Sequence, residues 1–315
     1  GLSERRENDH QRAGVLLTLN ALVFHLSHPV AATVEPLRQA RRFALDSVDV
    51  RLATDCTLAY INHAHLAGTS LDAMIRDLGA MLAELEPFGD TVPLLVGRMM
   101  LQNLLNLAGE ADEPCVLTGH ACQEEEVLAR LQQAGNRFGL NAFYSMKASL
   151  NLLFGRSQAA VETSDQARVH ADAVGIGLFA EAARCQVAAL ARLAACAQAR
   201  EADRPPLLRA VAADLKELRR WALRSPMNHR HRVHQVEAEL AHLHGRYAEA
   251  EQHYANAWSL AAAQGFVHDE GGAAELAARH FLQTGQFDQS AAWRRRAVDA
   301  YRRWGSQAKL HYLDR

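Results

Sequence analysis

Residues able to do chemistry are plentiful in this chain, but few of them stand at the spacings that chemistry requires. Its 315 residues include 16 histidines and five cysteines. Cys115, His120 and Cys122 share one loop and are donor types that zinc accepts, yet a closed structural site needs a fourth ligand that the sequence does not place. His231 and His234 lie three residues apart on one helix face, with His229 just before them and Glu237 in reach. That spacing suits histidines that line a groove or pair with the carboxylate, so neither a metal nor a cofactor is assigned. Gly-x4-Gly-Lys-Ser/Thr, His-Glu-x-x-His and Gly-x-Ser-x-Gly are all absent, which excludes the P-loop, zincin and nucleophile-elbow routes. The run Gly135 to Gly139 reads as a turn, because a dinucleotide loop needs a preceding strand. With no nucleophile, base and orienting group clustered, the sequence does not read as an enzyme.

Charge narrows the partners. The formal net charge of −2 gives the whole chain no attraction for nucleic acid or an anionic membrane. Glu124, Glu125 and Glu126 stand in the first turn of a helix, where they meet the positive end of its dipole. Arg294, Arg295, Arg296, Arg302 and Arg303 make the last long helix basic, as a solvated outer face or as a contact for a neighbouring domain or acidic partner. No uncharged apolar run reaches the ~18 residues a membrane span needs. Odd cysteine number without framework spacing predicts a reducing compartment, the cytoplasm. The opening Gly-Leu-Ser, without an initiator Met, predicts a piece of a longer protein.

The elements that must position any site follow from a recurring spacing. Gly, a small residue five positions on, Ala seven further, and a closing Gly recur as Gly68-Ala73-Ala80-Gly89, Gly155-Ala160-Ala167-Gly175, Gly245-Ala250-Ala257-Gly265 and Gly285-Ser290-Ala297-Gly305. The first Gly ends one helix in the left-handed conformation, and small residues seven apart share the face on which a neighbour approaches closely. The starts fit one or two units of about 40–46 residues, with Gly109 supplying one missing start. No run alternates with period two. The fold expected is all-α: a tetratricopeptide-like, right-handed α-solenoid of antiparallel helix pairs.

One helical-repeat domain is expected over 1–315, with N-terminal helices in 1–47, a first repeat block in 48–200 and C-terminal repeats in 201–315. A helix is expected from Ser3 to Leu26, with Ser3 as cap and Val15, Leu16, Leu19, Leu22, Val23 and Leu26 on its apolar side, ended by Pro29. A second passes through Leu37 and Ala44. Val50 to Ala67 begins the first clear pair, Ser70 caps its partner and Pro87-Phe88-Gly89 closes it. Thr91 to Leu107 follows, then a loop to Gly119 and a helix near 123–133. Asn141 to Phe154 pairs with Ser157 to Ala173. The Ala-rich Ile176 to Ala199 must pack tightly, because Ala leaves little volume between axes. Asp203-Arg204-Pro205-Pro206 opens a helix to Leu223, and Ser225-Pro226 opens the next.

Counting from each start Gly places polar groups on the inner face of otherwise apolar helices. They are Asn62 and His65, Asn103 and Asn106, Ser145 and Ser149, then Gln235, Glu239 and His242, then Glu275 and Arg279, with Asn228 and His231 earlier on the same helix as Gln235. Polar groups in such a stripe must be wet, mutually bonded or occupied by a ligand. Asn offers donors and acceptors together and suits capture of a peptide backbone or a small polar ligand.

Ser225-Pro226-Met227-Asn228, His231 and Val236-Glu237-Ala238-Glu239 resemble the block before the final repeats of large multidomain signalling proteins with a STAND-type ATPase. Asn103-Leu104-Leu105-Asn106-Leu107 with Pro114-Cys115, and Tyr301 to Gly305 with Ala308-Lys309, are similar to further landmarks of that region. The resemblance runs in order from about residue 35 onward. His65-Leu66-Ala67 departs from the aromatic pair common there, and Ser306 stands where Ala is usual. In that family a serine/threonine-kinase-like domain often precedes the ATPase, and GAF and histidine-kinase or other output modules come after it. The resemblance implies a bacterial, cytoplasmic, non-enzymatic sensory or regulatory domain. It would bind a protein segment or small ligand in its groove and relay to neighbouring ATPase and output modules of the same polypeptide. The alternatives are a small-molecule sensor with an enclosed pocket and a passive scaffold that forms a homodimer.

Overall fold

The computed structural model describes residues 2–89, 91–173 and 179–314, and every regular element among them is helical. The α-helices are α1 (Leu2–Thr18), α2 (Ala31–Asp46), α3 (Val50–Leu66), α4 (Leu71–Leu85), α5 (Val92–Ala108), α6 (Glu124–Gln133), α7 (Arg137–Leu153) and α8 (Ser157–Val169). They continue with α9 (Ala180–Gln198), α10 (Arg204–Arg224), α11 (Pro226–Leu243), α12 (Tyr247–Gln264), α13 (Val267–Gln283), α14 (Phe287–Trp304) and α15 (Gln307–Leu313). This is an all-α helical-repeat fold. Its contacts divide it into two units, Gly1–Phe143 with Val169–Ala180, and Tyr144–Arg168 with Glu181–Arg315.

The repeat glycines do what their spacing requires. Gly68, Gly155, Gly245 and Gly285 have φ of 83°, 73°, 72° and 77°, a conformation that reverses the chain between paired helices and that a side chain would strain. The small residues after them are sealed in the later pairs: Ala160, Ala167, Ala250, Ala257 and Ala297 are wholly buried. In α4 the rule fails. Ala80 is exposed and Ala73 half-buried, while Leu71, Met74, Leu78, Met81, Leu82 and Leu85 form the buried face. A large-residue stripe takes the place of the small one. Gly175 and Ile176 lie outside the described residues.

In the first unit the N-terminal helix departs from expectation. α1 ends at Thr18 and runs into a π-helical turn, Leu19–Val23, then a 3-10 turn, Phe24–Leu26. The wider turn shifts the register of the residues after it. Asn20, Ala21 and His25 are buried, whereas Val15, Leu19 and Val23, expected on the apolar side, are 46–56% exposed. Two arginines of α2 reach across to the next pair. Arg38 donates to Tyr60 and Asp77 (2.7 and 2.5 Å), and Arg41 to Thr57, the Met81 carbonyl and Glu84. The expected Gly135–Gly139 turn is shorter than the sequence suggests: α7 already begins at Arg137, so Phe138 and Gly139 are helical.

In the second unit α8 meets α9 through Ala160, Val161, Ala191 and Ala195, the close approach that alanine permits. On its other side α9 packs with α10 and α11 through Cys185, Leu193, Val211, Leu215, Leu218 and Val236. The final helix returns to the first hairpin of the unit. Lys309 of α15 donates to the Leu153 carbonyl at 2.6 Å, and Tyr312 stands edge-on to Phe154 with ring centroids 5.6 Å apart.

Candidate functional site

The second unit carries a chain of buried polar side chains along α9, α11 and α13. At one end Asp269 of α13 gathers cations and amides. His231 Nε2 lies 2.9 Å from Asp269 Oδ2, and the Arg232 guanidinium is paired with the same oxygen at 2.9 Å. Gln235 donates to the Asp269 carbonyl at 2.8 Å and accepts from Gln186 of α9 at 2.6 Å, while Arg232 donates to the Gln186 amide oxygen. Burial favours the neutral form of a carboxyl, but Arg232, His268 and His231 outweigh it and hold Asp269 well below the usual carboxylate range. The same burial lowers His231 and Arg232, and brings His268 to about 4. The His231 ring also stacks on Phe266, centroids 4.6 Å apart.

Two turns further along α11, Glu239 takes a hydrogen bond from the Tyr254 hydroxyl and another from Arg279, both at 2.6 Å. Glu239 is 9% exposed at its side chain and Arg279 47%, so the pair places a carboxylate inside and a guanidinium at the surface. The Glu239 charge raises Arg279 above its ordinary value. His242, one turn on and half-buried, has Nδ1 2.8 Å from Nδ1 of His280. On α13, Glu275 accepts from Tyr301 at 2.8 Å and from Lys309 at 2.7 Å.

Of the residues the sequence places on the inner face, the structure therefore brings His231, Gln235, Glu239, His242, Glu275 and Arg279 into the second unit's polar chain. Asn228 is buried at the start of the same helix, donating to the Ser225 hydroxyl at 2.9 Å. Ser145 and Ser149 are half-buried on α7, where the Ser149 hydroxyl bonds back to the Ser145 carbonyl at 3.1 Å. In the first unit Asn62 and His65 are half-buried on α3, and Asn103 is 9% exposed on α5.

Asn106 has an internal use. It is wholly buried, accepts from Gln102 (2.8 Å) and donates to the carbonyls of Pro114 and Val116 (3.1 and 2.6 Å). Gln102 in turn accepts from the Ala121 amide at 2.9 Å, so these two amides of α5 hold the long loop. In that loop Cys115 is buried and His120 exposed, so the three candidate zinc donors do not converge. Among the described residues one group could hold an ion, His234, Glu237 and His253, and it lies elsewhere. The Cys56, Cys122 and Cys185 thiols are pushed up to about 12 by burial and are held protonated.

Gln186, Arg232, Tyr254 and Asp269 complete the network without a sequence expectation, and Tyr301 and Lys309 join it as residues that entered the sequence analysis only as landmarks of the resemblance. A signal was available for two of them. Asp269 lies one and two turns before the wholly buried Ala273 and Ala277, and Gln186 shares its stripe with Ala182 and Ala189. A polar residue inside an apolar helical stripe must find a buried partner.

The fold and this lining define a tetratricopeptide-like helical-repeat protein. No family model and no curated protein matches the sequence. A solved structure described as a Rap protein complexed with competence and sporulation factor is similar in fold, with a TM-score of 0.55 at 13% identity, covering 99% of this chain and 80% of that one. Among the described residues no helix is long and apolar enough to cross a membrane.

Proposed function

We propose that this chain is a non-enzymatic regulatory domain that binds a short peptide along the inner helices α9, α11 and α13. The observation that carries the reading is the Glu239–Arg279 pair. It sets a guanidinium at the surface edge of a buried polar chain, with His242 beside it and further amides beneath. A peptide carboxylate suits the free face of Arg279, and its backbone suits the donors and acceptors along the helices. The buried Asn228, His231 and Gln235 and the half-buried Glu275 hold the shape of that face. Asn62, His65 and Asn103 of the first unit are proposed as contacts of a neighbouring domain, and Ser145 and Ser149 of the second as contacts of a longer ligand, whereas Asn106 is spent on the loop after α5. That the neighbour in fold is described in complex with a competence and sporulation factor supports a domain that binds a partner over a passive scaffold.

The ordered landmarks from Asn103 to Lys309 support a place beside the ATPase and output modules of a cytoplasmic bacterial STAND-type signalling protein. Binding would be relayed there by favouring one of two repeat packings over the other. The second reading is a passive scaffold, whole or homodimeric. It is favoured by how fully Asp269, Gln235 and Glu275 are bonded within the protein. A synthetic pool of short peptides, selected on immobilised protein and identified by mass spectrometry, separates the two. Enrichment lost in Arg279→Ala and Glu239→Gln supports binding. No enrichment, with no change in melting temperature for any pool, leaves the scaffold.

A further inference from the structure

Outside the polar chain, α11 and α12 bring together two imidazoles and a carboxylate. His234 and Glu237 stand one helical turn apart on α11, and His253 faces them from the antiparallel α12. The two Nδ1 atoms are 2.8 Å apart, and Glu237 Oε2 lies 3.6 Å from one and 3.4 Å from the other. All three side chains are 17–21% exposed, so an ion can reach them from water while the hairpin holds them.

We propose that His234, Glu237 and His253 form a divalent transition-metal site, with zinc as its natural occupant, that ties α11 to α12. Two nitrogens and one carboxylate oxygen suit zinc and its neighbours rather than magnesium or calcium, which take oxygen. Tetrahedral zinc with bonds of about 2.0–2.1 Å sets its donors roughly 3.3 Å apart. The two nitrogen–oxygen distances already match. The imidazoles need only swing apart by about half an ångström at half-buried side chains.

The surroundings are built as metal sites are. Glu237 Oε1 is held by Arg219 through Nη2 and Nε at 2.7 and 3.1 Å, which leaves Oε2 toward the histidines. On the far side of its ring, His253 Nε2 faces Glu249 Oε1 at 4.0 Å, where a small closure would fix the tautomer with Nδ1 unprotonated. Arg219 and Arg230 are the cations nearby, and the Glu237 and Glu249 carboxylates offset them. Water fills the remaining position. The competing arrangement is a plain hydrogen bond between the two imidazoles, one donating and one accepting, which zinc would replace.

The test is a titration of chelator-stripped full chain with zinc chloride against a chromophoric chelator. One tight equivalent is expected, with a rise in melting temperature. His253→Gln and Glu237→Gln should each weaken it at least ~100-fold, whereas His311→Gln, at an exposed position of α15, leaves it unchanged. Should a variant fail to fold, the wild type still answers. Zinc must block carbethoxylation of His234 and His253 while exposed His10 continues to react. The proposal is overturned by the absence of a tight equivalent, by an equivalent that survives His253→Gln, or by unprotected His234 and His253, each of which leaves an adventitious ion only.

Discussion

The Lys309 ammonium is wholly buried, 2.7 Å from a carboxylate oxygen of Glu275, and its other partner is the carbonyl of Leu153, far back in the sequence. Burial lowers Lys309 while Glu275 acts in the opposite direction. The pair is thus held by its hydrogen bonds rather than by any ease of burying charge.

Removing one partner should therefore hurt more than removing both. Lys309→Met leaves the half-buried Glu275 without its cation and is expected to cost about 1–3 kcal/mol, with a fall of roughly 5 °C in melting temperature. Lys309→Met with Glu275→Leu should recover most of it. Calorimetry of the two variants checks this, and an equal loss in both would mean the pair is not the unit of stability.

Adjacent glycines of α13 should answer Ala in opposite ways. At Gly272 a Cβ meets nothing within 4 Å, and Ala in a helix gains about 0.5–1 kcal/mol over Gly. At Gly271 the same atom would come within 2.9 Å of the Tyr301 ring, whose hydroxyl is anchored on Glu275. Urea unfolding should show Gly272→Ala stabilised and Gly271→Ala destabilised by about 1–3 kcal/mol.

The loop after α5 should depend on one amide. Asn106→Leu leaves the Pro114 and Val116 carbonyls and the Gln102 amide without their partner. A loss of about 2–4 kcal/mol is expected, together with new proteolysis between Glu110 and Cys122. Limited digestion with mass mapping of the fragments reads it. Unchanged cleavage would show that the loop stands on other contacts.

Stability should fall in mild acid. His63 is buried, its Nδ1 2.7 Å from the Thr33 hydroxyl, and burial, with His25 adding to it, lowers it from 6.5 to about 3. Between these values the unfolded chain holds a proton that the folded chain refuses. Stability is therefore full above pH 6.5 and declines as pH drops toward 3, by at most about 1.4 kcal/mol per pH unit. His268, lowered to about 4, acts in the same sense in the other unit. His63→Gln should flatten the slope of melting temperature against pH in that window; a slope left intact would place its origin elsewhere.

Much of the fold could be read from residue order because it is set locally. Glycines with positive φ, Pro226 in the first turn of α11 and the alanine pairs of α8 and α12 each act within a few residues. The features that could not be read were decided at longer range. The exposure of Val23 and the burial of His25 go with a π-helical turn that no residue type announces, and the buried face of α4 with large side chains where small ones were expected. The inner-face positions were found, but their partners were not. Asp269 is joined to Gln186 across 83 residues and Glu239 to Arg279 across 40, and no spacing within one helix reveals that.

The return of α15 to the first hairpin has a consequence for how the second unit comes apart. An open array of repeats can fray from either end, one hairpin at a time. Here the tail is buttoned to the opening hairpin through Lys309 and Tyr312, so neither terminus is a free place to begin. Melting should proceed as a single event, and clipping the last few residues should loosen a segment about 150 positions upstream before it disturbs the hairpins in between.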